Sequence, residues 1–192
     1  MATMSVEIRD EVVACIPSLR AFAASLVGVG DRADDLVQEA LVKAWANIGS
    51  FKQGTNMKAW LFTILRNTFY SAYRKGKREV QDVDGQYSNA LAVHPAQMGH
   101  LDFEDFRMAL DELPEDQREA VVLVCASGFS YEEAAEICDC AIGTMKSRVN
   151  RARNRLSEIL GVTSADEFGP DHTVNAALTS SSLPAVKLSA MD

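Results

Sequence analysis

Apolar residues recur at spacings of three and four along most of this chain, which restricts the fold to packed helices. Between Asp31 and Ile48, Leu36, Ala40, Leu41, Ala44, Trp45 and Ile48 share one helical face. Asp31 is the expected N-cap, and acids in the first turn suit the helix dipole. A loop at 49–55 leads into a second long helix over about 56–75. Residues 7–27 are also helical in pattern, with an interruption expected near Pro17. Further on, Pro114 opens one helix. Ser130 and Glu133 have the spacing of a capping box for another, expected to end near Cys138. After Asp139-Cys140-Ala141 a last helix runs to about Leu160.

Between residues 79 and 101 the period fails, and Gly85, Pro95 and Gly99 fall there with little aliphatic bulk. The expected fold is therefore all-α, with two small helical domains at 7–78 and 102–160 joined by a flexible linker at 79–101. The small, polar and aperiodic stretch 161–192 is expected to be a disordered tail. There is no internal repeat. No apolar run reaches the roughly 18–20 residues of a membrane span. The first ten residues carry no signal-peptide pattern, so a cytoplasmic protein is expected.

A net charge of −8 argues against a nucleic-acid partner until its distribution is considered. From Ala40 to Arg78 there are eight basic residues and no acid; from Ile142 to Leu160 there are five against Glu158 alone. Glu104 to Ala141 holds eleven acids against Arg107 and Arg118. Two basic islands in an acidic chain suit local polyanion contacts and leave acidic surfaces for another partner.

A short helix, a tight turn and a helix bearing Thr144, Lys146, Ser147, Arg148 and Arg151 near its start form a helix-turn-helix pattern. Met145, Val149, Ala152, Leu156 and Ile159 fall on the inner face, with Thr144, Arg148, Arg151 and Arg155 outside. Arg153 and Arg155 lie farther along, where contact with phosphate is expected. The blander reading is a solvated basic face. In the first island, Trp60, Phe62, Phe69, Tyr70 and Tyr73 interleave with Arg66, Arg74 and Lys75. Cations beside stacking aromatics suit single-stranded or melting DNA, although helical aromatics also build cores. Trp60, Phe62 and Leu65 are expected to face inward.

Asp34, Asp35, Gln38 and Glu39 cluster on the preceding helix, more suited to a basic partner protein or solvent than to catalysis. Cys138 and Cys140 form only a C-x-C, and His94, His100 and His172 lie in the linker and tail. No metal site or cofactor is expected. Cys125 and Cys138 read as core thiols. The sequence has no nucleophilic triad, Walker loop or dinucleotide fingerprint, so no enzyme is expected.

The strings Asp34-Asp35-Leu36-Val37-Gln38-Glu39 and Ala59-Trp60-Leu61-Phe62-Thr63-Ile64-Leu65-Arg66-Asn67 resemble region 2 of bacterial extracytoplasmic-function sigma factors. Leu113-Pro114-Glu115-Asp116-Gln117-Arg118 and Gly143-Thr144-Met145-Lys146-Ser147-Arg148 resemble region 4. The order and spacing hold from Ala14 to Leu160, and the 73–75, 126–138 and 146–153 strings are most similar to the alphaproteobacterial general-stress subgroup.

The resemblance implies a protein that recruits core RNA polymerase to promoters for a stress regulon and is held in check by a small anti-sigma factor. Asp35, Gln38 and Glu39 would meet the polymerase clamp helices. Phe51 and Lys52 of the 50–56 loop, with Arg66, Asn67, Tyr70, Tyr73 and Arg74, would handle the −10 element. Thr144, Lys146, Ser147, Arg148, Arg151 and Arg155 would contact the −35 element. The linker would thread polymerase channels. The family does not explain the tail. The rivals are a sigma-like decoy that sequesters an anti-sigma factor, and an ordinary helix-turn-helix regulator.

Overall fold

The computed structural model describes residues 6–80 and 101–161, and every regular element among them is helical. Helices α1 (Val6–Val27), α2 (Asp31–Ala46) and α3 (Met57–Val80) form the first bundle. Helices α4 (Leu101–Asp111), α5 (Glu115–Val121), α6 (Tyr131–Cys138) and α7 (Ile142–Leu160) form the second. Most of the expected linker and tail lies outside the described residues. At the linker's margins, α3 runs on through Val80 and α4 begins at Leu101.

The first bundle closes over Leu19, Phe22 and Ala23 of α1, Val37, Ala40 and Ala44 of α2, and Leu61, Phe62 and Leu65 of α3. Helix α1 passes through Pro17 unbroken, contrary to the interruption expected there. Proline removes the hydrogen bond to Val13, and both residues lie on the exposed side, where water can take the freed carbonyl.

The cap of α2 also differs from expectation. Gly30, at φ 115°, is the N-cap, with no side-chain cap, and its carbonyl accepts from the Ala33 and Asp34 amides. Asp31 is the first helical residue. A backbone turning at such a φ favours glycine, so the chain enters α2 through Gly30. Trp60 is only half-buried, against Phe51 at 5.3 Å between ring centroids, whereas Phe62 and Leu65 are fully inside as expected.

In the second bundle, α5 begins after Pro114 and widens at Val122–Ala126 into a π-helical turn. The Ser127 amide there reaches back to the Val122 carbonyl at 2.8 Å. The capping box is present: the Glu133 amide donates to Ser130 Oγ, and the Ser130 amide donates to the Glu133 carboxylate. Helix α6 ends on Asp139 in the left-handed region (φ 51°), which makes the turn into α7. Met145, Val149, Ala152 and Leu156 are buried as the period requires, while Ile159 is half-buried.

The two bundles pack against each other. Phe62 stacks on Phe22 within its own bundle at 4.9 Å and meets the edge of Phe129 in the second bundle, also at 4.9 Å.

Candidate functional site

Three surfaces gather the residues singled out in the sequence. On α2, Asp35, Gln38 and Glu39 are all exposed, while their neighbour Asp34 is bound by Arg20 of α1 through two hydrogen bonds of 2.7 Å. That guanidinium holds the Asp34 carboxyl below its ordinary range. One carboxylate of the pair therefore ties α1 to α2, and Asp35 is presented outward. Glu39 pairs with Lys43 one turn later at 2.7 Å.

The same stripe continues into Val42, 68% exposed, and Trp45, 62% exposed. Trp45 has the spacing of a core residue, but the structure turns it out, because Leu36, Val37, Ala40 and Ala44 already fill the inner face. An acidic and polar end joined to a bare tryptophan is the composition of a protein-docking surface. The sequence reading missed Val42 and Trp45 as members of this surface.

The second surface is divided. Lys52, Asn67, Tyr73 and Arg74 are exposed. Phe51 is half-buried against Trp60. Arg66 and Tyr70 instead face the second bundle. Arg66 Nε donates to Glu119 Oε1 at 2.7 Å, and its guanidinium lies over the Tyr70 ring at 4.6 Å. The Tyr70 hydroxyl approaches Glu119 Oε2 at 3.5 Å. Burial first, and then the Glu119 charge, push the Tyr70 hydroxyl well above its usual pKa, so it stays protonated. Burial opposes the Arg66 charge, but the Glu119 hydrogen bond prevails and raises its pKa.

Glu119 itself is 1% exposed. Two more polar contacts join the bundles: Lys58 Nζ donates to the Ser127 carbonyl at 2.6 Å, and Asn56 Nδ2 donates to Glu133 Oε1 at 2.7 Å. The Lys58 ammonium also lies over Phe129, 5.1 Å from the ring centroid. Burial lowers the Lys58 pKa. The sequence reading assigned no role to Lys58 or Glu119. An acid four residues before the buried Leu123 is the one local signal for Glu119, and its cationic partner lies 53 residues away.

On the third surface, α6 and α7 form the helix-turn-helix. Thr144, Lys146, Ser147 and Arg151 are exposed at the start and along the outer face of α7. The Lys146 ammonium lies 5.8 Å from the Tyr131 ring centroid. Arg148 is half-buried, its Nε 3.1 Å from Asp116 of α5, and Arg155 pairs with Glu158 at 3.2 Å. Cys125 and Cys138 are buried, as expected. Burial pushes the Cys138 thiol well up, away from the reactive thiolate. Among the described residues there is no cluster of three potential metal ligands, and no helix is long and apolar enough to cross a membrane.

Residues 12–79 match the sigma-70 region 2 family and residues 103–156 match sigma-70 region 4, so the two bundles define a sigma-70-type transcription initiation factor. The chain is 63% identical over 171 residues to the ECF RNA polymerase sigma factor EcfG of Rhodopseudomonas palustris (strain TIE-1), covering 89% of this chain and 94% of that one. It belongs to the extracytoplasmic-function sigma factors, of the alphaproteobacterial general-stress type. Its structure superposes on the sigma factor RpoE of Bartonella quintana, solved in complex with the anti-sigma factor NepR, with a TM-score of 0.76 and 59% identity over 83% of this chain and all of that one. CnrH, solved with the cytosolic domain of CnrY, gives a TM-score of 0.52 at 26% identity over 82% of this chain and 87% of that one.

Proposed function

We infer that this sigma factor docks on core RNA polymerase through the α2 stripe, opens the −10 element with α3 and the loop before it, and reads the −35 element with α7. The exposed stripe of Asp35, Gln38, Glu39, Val42 and Trp45 carries the reading. A helix-turn-helix regulator has no need of such a surface on a separate bundle, and a decoy has no need of two intact basic islands.

On α3, Asn67, Tyr73 and Arg74 offer hydrogen bonds, a stacking ring and a charge to a strand leaving the duplex. Residues 12–79 and 103–156 would then work as polymerase and −10 domain and as −35 domain, with the intervening chain as connector. An anti-sigma factor as regulator is supported by the Bartonella relative, whose solved form is such a complex. The protein acts by binding, without catalysis of its own, in the cytoplasm where polymerase and promoters are.

The −35 assignment makes separable predictions for two arginines. Arg148 lies near the end of α7 that enters the major groove, and a bidentate base contact discriminates by about 1–3 kcal/mol. Arg155 lies two turns on, where phosphate is in reach. Arg148→Ala should narrow the gap between cognate and scrambled duplexes. Arg155→Ala should weaken both about equally and flatten the salt dependence. Fluorescence anisotropy across a salt series, using holoenzyme and a duplex selected from a random pool, measures both. An unchanged cognate-to-scrambled ratio for Arg148→Ala removes it from sequence readout.

A further inference from the structure

One short helix of the second bundle holds cations from both DNA-facing surfaces. Helix α5 presents Glu119 to Arg66 of α3 at 2.7 Å and Asp116 to Arg148 of α7 at 3.1 Å. Glu119 also meets the Tyr70 hydroxyl, and Glu115 lies beside the same group. These contacts have the chemistry that a DNA backbone would offer: an anionic oxygen accepting from a guanidinium and from a phenol.

We propose that α5 is a built-in competitor for promoter DNA, its carboxylates occupying Arg66 and Arg148 in the closed form until DNA takes them in exchange. The proposal rests on the reading of Arg66 and Tyr70 as −10 residues and adds how that surface is regulated.

Two physical features suit the device to reversal. A buried ion pair gains little net energy, because desolvating both charges offsets most of their attraction. Separation of the bundles would return Glu119 and Arg66 to water together, leaving neither buried alone. Separation must also break the Lys58–Ser127 and Asn56–Glu133 hydrogen bonds and the apolar packing of α1 and α3 on the second bundle, centred on the Phe62–Phe129 edge. The π-helical turn helps set this latch, since it ends next to Ser127 and Phe129, the residues that reach across. Asp116 acts within its own bundle, so Arg148 can exchange partners without any domain movement.

The test uses the full-length chain and a fluorescein-labelled single-stranded oligonucleotide of mixed sequence. Glu119→Gln keeps the shape and removes the charge; it should tighten oligonucleotide binding severalfold, and adding Arg66→Ala should cancel that gain. Unchanged binding by a folded Glu119→Gln protein overturns the proposal. A gain that survives Arg66→Ala overturns it differently, by removing Arg66 from the DNA surface on which it rests. A second measurement needs no change at Glu119. Spin labels on non-natural residues at the exposed positions Arg32 and Asn154 report the distance between bundles. That distance should lengthen at oligonucleotide concentrations that saturate the anisotropy. A fixed distance at saturation shows that DNA binds without release of the latch and contradicts the proposal.

Discussion

Asp35→Lys combined with Glu39→Lys should abolish promoter-dependent transcription while the helical content of the protein stays unchanged. Both side chains are exposed, and neither contributes to the core. The cost to folding is confined to the Glu39–Lys43 pair, where a like-charge i,i+4 contact replaces an attractive one at about 0.4–1 kcal/mol in all. The cost to docking is much larger, because reversed charges on a basic partner surface oppose encounter and spoil register. Co-purification with core polymerase and multi-round transcription measure the effect. Wild-type affinity of the double variant for core polymerase would remove this face from the interface.

The largest expected loss of stability comes from Phe62→Ala. The ring is fully buried, stacked on Phe22 and edge-on to Phe129, so its removal leaves a cavity shared by both bundles. Truncation of such a phenylalanine costs about 3–5 kcal/mol, a large part of the 5–15 kcal/mol that holds a typical domain folded. Urea denaturation followed by circular dichroism should show the midpoint fall by a corresponding amount. A shift no greater than that of an exposed control such as Tyr73→Ala would mean that Phe62 is not the packing centre described.

Much of this architecture was legible in the sequence because helices are written locally. The three-and-four spacing marks α2 and α7, Pro114 marks the start of α5, and the Ser130–Glu133 box and the turn before α7 are contacts between residues within a few positions of one another. What failed locally failed for identifiable reasons. Pro17 reads as a breaker, yet its lost hydrogen bond falls on the exposed side of α1. Asp31 is a good capping residue by type, but the chain enters α2 through the positive φ of Gly30. Trp45 has core spacing, but smaller residues already fill the inner face of α2.

The division of the residues expected at the −10 element was beyond any local signal. Arg66 and Tyr70 meet Glu119, 53 and 49 positions away, across an interface between two bundles that each look self-sufficient. The family resemblance implies a set of DNA-contacting residues, but no spacing says which of them are occupied by the protein itself.

The most direct test of the central assignment is reconstituted initiation. Core polymerase, the purified chain and genomic DNA fragments from an alphaproteobacterium of the general-stress type would be combined, and the transcript 5′ ends mapped. The expected result is a defined set of start sites that is absent with core polymerase alone, preceded by common −10 and −35 elements at fixed spacing. The set should be lost with Asp35→Lys/Glu39→Lys. Stable binding to core polymerase with no start site beyond the background of the core enzyme would contradict the assignment.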